Sequence, residues 1–434
     1  MGNDDAYRLS ASAALAKIRN GELTVEGYAR SLLRRIDLRD ADVGAWAYLD
    51  KDYVLQQARA LDKVPMSQRG PLHGMPLAVK DVIYTKDMPT QHNSPIYKND
   101  FPKLDAASII ILRHAGVLLL EFAATTSGPS TRNPHDPSRT PGGSSSGTGA
   151  AVGDFQAPVG LGTQTGGSTI RPASFNGIYS MKPTWNAISR EGQKVSSLML
   201  DTLGLFSRSV DDLDLLADAF LLRDDEKSTF QGVKGARFAL CKTSVWPAAG
   251  PGTRHALMRA ADILRAHGAI VEELDLPAEF ENVPNWHTVL LHTEGHTAFL
   301  PEHQTAKDKL ASTLVNYVEG TGGYNHAAQL RALDNLAALR PKIDAIAGQY
   351  AAILTPSVID EAPKGLHSTG DHAFCCTWSA LHTPVINMPG FQGSNGMPIG
   401  VSLVAPRYHD RHLLKVAKEV GKIFEAEGGW KSKL

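Results

Sequence analysis

Apolar positions recur every three to four residues from Ala11 to Ile18 and from Val25 to Ile36, which predicts two amphipathic helices. A nearly continuous apolar run from Met75 to Ile83 follows and predicts a buried strand, with Lys80 set inside it. Ala106 to Ala115 reads as a helix and Val117 to Leu120 as a strand, with Gly116 turning the chain between them. Helix and strand alternating in this way is the pattern of an α/β fold.

From Ser127 to Gly177 the pattern changes to Gly, Ser, Thr, Pro and Asn with almost no charge. Apolar segments at Ala150 to Val152 and Ala157 to Leu161 interrupt it, so it reads as glycine-rich loops threaded through a core rather than as a linker. A further unit comprises a strand from Ala236 to Cys241, a helix from Arg254 to Ala266 and a strand from Ile270 to Leu274. More strands are expected at Ala352 to Leu354, Val385 to Met388 and Ile399 to Val404, before a final helix from His412 to Phe424. No fixed-period repeat stands out, and no linker separates two self-sufficient halves. The expectation is one large α/β domain over residues 1–434, with a central mixed sheet flanked by helices. A helical segment covers about residues 1–65 and a variable, substrate-side region about residues 224–347.

Composition narrows the function classes. With 434 residues and 42% hydrophobic content the chain fills a substantial core, and its formal net charge of -1, spread without blocks, offers no field for nucleic acid or an anionic membrane. Three cysteines, Cys241, Cys375 and Cys376, lack a disulfide or C-x-x-C pattern and suit a reducing compartment. The start of the chain is polar, and no stretch is long enough to span a bilayer. Gly2 lacks the Ser or Thr of a myristoylation pattern, since Ala6 holds that position. The chain ends in Ser432-Lys433-Leu434, which reads either as a peroxisomal address in a eukaryote or as a solvated basic tail, with the cytoplasm expected otherwise.

Three segments carry candidate chemistry. In Gly70-Pro71-Leu72-His73-Gly74-Met75-Pro76-Leu77-Ala78-Val79-Lys80-Asp81, a buried Lys80 would lose solvation and supply a neutral amine near neutral pH, whereas most lysines so placed reach out to water. Pro141-Gly142-Gly143-Ser144-Ser145-Ser146-Gly147 strings hydroxyls on a pliant backbone that also suits a plain surface loop. In Gly162-Thr163-Gln164-Thr165-Gly166-Gly167-Ser168-Thr169-Ile170-Arg171-Pro172, two glycines let N–H groups converge before a serine, as an oxyanion site or an anion nest requires.

Two other patterns point elsewhere. Gly143-Ser144-Ser145-Ser146-Gly147 matches G-x-S-x-G, but a proline-rich stretch precedes it where a nucleophile elbow needs a strand. His292, Glu294 and His296 lack the order of H-E-x-x-H, so that helix is read as structural or substrate-side, without metal.

Taken together, GPLHGMPLAVKD, TRNPHDPSRTPGGSSSGTGAAV and GLGTQTGGSTIRPASFNGIYSMKPT resemble the amidase signature family in order and spacing. LDTLGLFSRSVDDL, ILTPS, INMPG and GMPIGVSLVAP extend the likeness over nearly the whole chain. The resemblance implies an amide hydrolase with Lys80 as base, Ser144 as bridging serine in a cis linkage and Ser168 as nucleophile. It places oxyanion donors on the backbone of Thr165, Gly166, Gly167 and Ser168, and requires no metal or cofactor. The arginine after the nucleophile comes one residue late, as Arg171, and Gln164 replaces a common aspartate, so the chain resembles the malonamidase-like subgroup. Arg171 then has two readings, recognition of a substrate carboxylate or bracing of neighbouring backbone. Pocket shape is expected to come from loops between Ile83 and Thr126 and from Asp224 to Ala347, with Trp378 and His382 lining the pocket or filling the core. The expected partner is a small-molecule amide, and the expected assembly a homodimer. A glutaminase-type subunit of an amidotransferase and a catalytically silent binding protein are the alternatives.

Overall fold

The apolar run around Lys80 becomes β1 (Pro76–Lys80), buried along its full length. Its side chains alternate between two cores. Leu77 and Val79 pack with Val159, Leu161 and Leu205 on one face, while Ala78 packs with Leu118, Leu120 and Phe206 on the other. A strand covered on both faces reads as continuously apolar, which is why the run shows no polar alternation. The chain leaves the sheet directly after Lys80, where Val82 and Ile83 N–H both return to the Lys80 carbonyl.

In the computed structural model, which describes residues 3–123 and 131–434, ten strands form one sheet. After β1 these are β2 (Leu118–Ala123), β3 (Val159–Gln164), β4 (Tyr179–Lys182), β5 (Thr202–Ser207), β6 (Arg237–Leu240), β7 (Ile270–Glu273), β8 (Ala352–Pro356), β9 (Val385–Gln392) and β10 (Pro398–Val404). Their order across the sheet is β2-β1-β3-β5-β4-β9-β10-β8-β6-β7. β1 pairs parallel with β2 and β3, and β6 pairs parallel with β7 and β8. The pairings of β5 with β3 and β4, of β4 with β9, and of β10 with β9 and β8 are antiparallel. The sheet is therefore mixed, with helices on both faces, as the sequence pattern implies.

The helices Ala11–Arg19, Val25–Val43 and Lys51–Asp62 cover one face at the β1–β2 end, with Tyr28, Leu32 and Val54 fully buried. At the other end Val283–Ala298, His326–Ala347 and Ala373–Ala380 pack over β6, β8 and β9. Predicted boundaries shift in places. The helix expected to end at Ile36 runs on to Val43, where Gly44 stops it in the left-handed region at φ 61°. β4 and β5 escaped the sequence reading. Among the described residues no helix is long and apolar enough to cross a membrane. Positions 124–126 of the pocket loop, 127–130 of the glycine- and serine-rich stretch, and Gly2 lie outside the described residues.

Candidate active site

Parallel strands β1 and β3 end side by side, and the three candidate segments meet beyond their carboxyl ends, where open α/β sheets hold their ligands. Lys80 is the last residue of β1 and is 1% exposed. Its Nζ is hydrogen-bonded to Ser144 Oγ at 2.6 Å and to Thr163 Oγ1 at 2.7 Å. Burial pushes the ammonium down to about 7, with Arg171 adding to the shift and Asp201 opposing it. A neutral amine is thereby populated at neutral pH.

Ser144 is set in place by its neighbours. Gly162 has no side chain, and a Cβ there would lie 2.5 Å from Ser145 Oγ, so only glycine lets the serine loop rest on β3. Ser145 Oγ accepts from Thr163 N–H and donates to Thr163 O, both at 3.2 Å, and Ser146 Oγ donates to Gly142 O at 2.7 Å. Both hydroxyls are buried and used up in holding backbone. Ser144 stands half-exposed on the cavity wall, after a cis Gly143–Ser144 peptide bond. The G-x-S-x-G serine, Ser145, is thus a structural tie. It precedes the helix Ser146–Gly153 without following a strand.

Ser168 is likewise half-exposed on the same cavity, two residues before the helix Ile170–Asn176. The loop ahead of it is held from behind. Gln164 Oε1 accepts from Thr169 and Ile170 N–H, both at 3.0 Å. The Thr165 carbonyl lies 3.1 Å from His287 Nε2, the Gly166 carbonyl accepts from Ser379 Oγ at 2.7 Å, and Thr165 Oγ1 donates to Asp201 at 2.5 Å. Among the described residues the N–H groups of Thr165, Gly166, Gly167 and Ser168 have no acceptor. A loop with its carbonyls tied back and its N–H groups unspent can receive a developing oxyanion.

The cavity measures about 700 Å³. Its outer wall comes from the stretch His92–Tyr97 and from Phe299, Glu302, Leu310 and Tyr317, within the two regions expected to shape it. Asp81, next to Lys80, anchors the first of these by accepting from Gln91 and Asn93 N–H, and burial pushes its carboxyl up to about 6. Arg171 is 4% exposed and lines the cavity. Its guanidinium donates to Gly370 O at 2.8 Å, Thr369 Oγ1 at 3.0 Å and Gly143 O. These are bracing contacts, and Nε is left without a partner. A second hollow of about 800 Å³ lies away from the strand ends, between Asp214, Asp218, Arg411 and Lys418. Its Ser228–His412 hydrogen bond ties a loop, since Ser228 Oγ also accepts from Phe230 N–H.

Other candidate residues lie outside this constellation. Trp378 is 1% exposed core, and His382 stacks on Trp185 while bonding Met199 O at 2.7 Å. His292 packs edge-on against Tyr317 and Tyr324, and His296 bonds Val318 O. Sequence reasoning missed Thr163, which bonds Lys80, and Asp201, His287 and Ser379, which hold the glycine loop. Asp201 falls within LDTLG and Thr163 within GLGTQ, so the resemblance contained them without indicating what they touch.

The family model described as Amidase matches residues 28–414. The chain belongs to the amidase family. Like other members of that family, this amidase hydrolyses carbon–nitrogen amide bonds. It is 31% identical over 467 residues to a glutamyl-tRNA(Gln) amidotransferase subunit of Symbiobacterium thermophilum, covering 93% of this chain and 94% of that protein. A solved amidase structure superposes with a TM-score of 0.85 at 28% identity, covering 97% of this chain and all of the other. The peptide amidase of Stenotrophomonas maltophilia superposes with a TM-score of 0.81 at 25% identity, covering 98% of both chains.

Proposed function

We propose that this amidase hydrolyses a small carboxamide to a carboxylate and ammonia or an amine, through an ester on Ser168. The observation that carries the proposal is the buried Lys80, hydrogen-bonded to Ser144 on the cavity that also exposes Ser168. Ser168 Oγ attacks the amide carbonyl and gives its proton to Ser144, whose own proton passes to neutral Lys80. The carbonyl electrons move onto oxygen, facing the N–H groups of Gly166, Gly167 and Ser168. Collapse of the tetrahedral species breaks the C–N bond as the Lys80 proton returns to the leaving nitrogen. Water then cleaves the ester by the same relay, restoring Ser168. The decisive test is Ser168→Ala, expected to lower amide turnover by at least roughly 10⁴-fold and to end labelling by a fluorophosphonate serine probe. Retained labelling would remove Ser168 from the nucleophile's role.

The substrate class within this proposal includes amides bearing a free carboxylate. Arg171 lines the cavity with Asp371 as the carboxylate acting on it from nearby and its Nε without a partner, and a buried guanidinium so placed can receive an anionic group. Arg171→Ala is expected to reduce kcat/KM for half-amides of dicarboxylic acids at least about tenfold more than for uncharged amides. Equal losses on both substrates would leave Arg171 with only its bracing contacts.

A second reading, a glutaminase-type subunit of an amidotransferase complex, draws on the relatives of that name, which match this chain over nearly its full length. Size-exclusion chromatography of the purified chain with activity measured across the peak separates the two readings. An active homodimer supports the free amidase, whereas activity appearing only with added partner subunits supports the complex.

A further inference from the structure

The geometry points to a binding site for a thiophilic divalent metal of the zinc class, formed by His287, His372 and Cys376 behind the Thr165–Gly167 loop. One ring nitrogen of each histidine and Cys376 Sγ lie within 4.8 Å of one another. His372 and Cys376 stand four residues apart at the start of the helix Ala373–Ala380, a spacing that places both on one face. His287 comes from the facing helix Val283–Ala298.

The second observation is an orphaned, buried nitrogen on one of the three residues. His287 is fully buried, and with Nε2 donating to Thr165 O at 3.1 Å its neutral ring carries the lone pair on Nδ1, which has no partner. A buried acceptor left unmatched is destabilising, and a bound metal ion would satisfy it. Cys376 Sγ donates to the His372 carbonyl at 3.4 Å, a bond that is given up when the thiol proton leaves on metal binding.

Two imidazoles and one thiolate make a three-ligand set that leaves one coordination position open. Metal–ligand bonds of about 2.0–2.3 Å require the donors to close to about 3.3–3.7 Å, an inward movement of about 1 Å. Burial pushes both histidines down to about 4, so their lone pairs are free, and pushes the Cys376 thiol well up. Binding therefore exchanges the metal ion for the Cys376 proton, which leaves to solvent, and no electron is transferred. Beyond burial, the neighbouring Cys375 and the negative Asp371 oppose ionisation of Cys376, and the positive Arg171 favours it.

A filled site would clasp together two elements that buttress the glycine loop. His287 holds the Thr165 carbonyl, and His372 packs so closely that a Cβ on Gly166 would lie 2.4 Å from its ring. This inference stands independently of the proposed hydrolytic relay.

The test is direct metal binding to the full chain. After incubation with zinc and gel filtration, elemental analysis is expected to find about one equivalent per chain, and cobalt loading is expected to give a thiolate-to-cobalt charge-transfer band. Cys376→Ser should lose the band and weaken zinc binding at least about tenfold, while Cys241→Ser keeps both. Wild-type protein that retains no zinc, or a Cys376→Ser variant that retains the band, overturns the site. Should Cys376→Ser fail to fold, X-ray absorption on the zinc-loaded wild type decides instead: one sulfur with imidazole nitrogens supports the site, and a shell without sulfur overturns it.

Discussion

Two lysines, Lys80 and Lys182, are almost wholly buried, and burial pushes both to about 7. The shift alone does not mark a base. Lys182 Nζ donates to Pro183 O at 3.0 Å, with Asp410 as its nearby charge, and does not line the cavity. Lys80 bonds two hydroxyls, those of Ser144 and Thr163, and both residues line the cavity that exposes Ser168. Lys80→Met should therefore reduce kcat by roughly 10²–10⁴-fold, whereas Lys182→Met should stay within a few-fold of the wild type. Comparable losses in both variants, at matched thermal stability, would tie the effect to burial rather than to base chemistry. The pH dependence has a definite sign. Below about 7 Lys80 holds a proton and cannot accept another, so kcat/KM should rise with pH through about 7 and then level off. That limb should vanish from the residual rate of Lys80→Met. In the sequence Lys80 stood out because a lysine is unusual inside an apolar run. Thr163 and Asp201 were silent, because a threonine on a strand and an aspartate in a turn have many ordinary uses.

At the level of elements, close backbone approach positions the serines. Gly162 on β3 faces Ser145 and Phe206, and a Cβ there would lie 2.5 and 2.6 Å from them. Gly162→Ala is expected to cost about 1–3 kcal/mol in stability by overpacking. It should also slow fluorophosphonate labelling, because displacing Ser145 moves Ser144 away from Lys80. Paired thermal unfolding and labelling rates check this, and unchanged labelling in a destabilised protein would uncouple Gly162 from the site. The glycine- and serine-rich composition indicated that loops thread the core, and β3 lies where the apolar interruption Ala157 to Leu161 begins to form a strand. β4 and β5 were less visible because each is short and lies within a motif whose glycines and polar residues break the strand period. The helix His326–Ala347 was obscured by Pro341 and by the absence of a clean apolar stripe.

Across the whole molecule, the cavity joins segments far apart in the chain, and its outer wall is closed by a cluster that no local pattern announces. Glu302 accepts from Tyr97 and pairs with Lys194, linking three separate stretches over the cavity. Burial opposes its charge, yet Lys194 and Tyr97 hold its carboxyl below the ordinary value. Such long-range pairing depends on how the region from 224 to 347 folds back over the sheet, so the meeting of Lys80, Ser144 and Ser168 on one cavity was legible in the sequence and the pairing that closes the outer wall was not. The wall should govern substrate fit without touching the relay. Glu302→Gln removes the charge that gathers Lys194 and Tyr97, and is expected to cost roughly 1–3 kcal/mol in stability and raise KM several-fold. A small fluorophosphonate, which needs only the nucleophile and its donors, should still label Ser168 at close to the wild-type rate. If labelling falls as steeply as amide turnover, the cluster supports the catalytic residues themselves, and the division between a fixed reacting end and a variable outer wall does not hold.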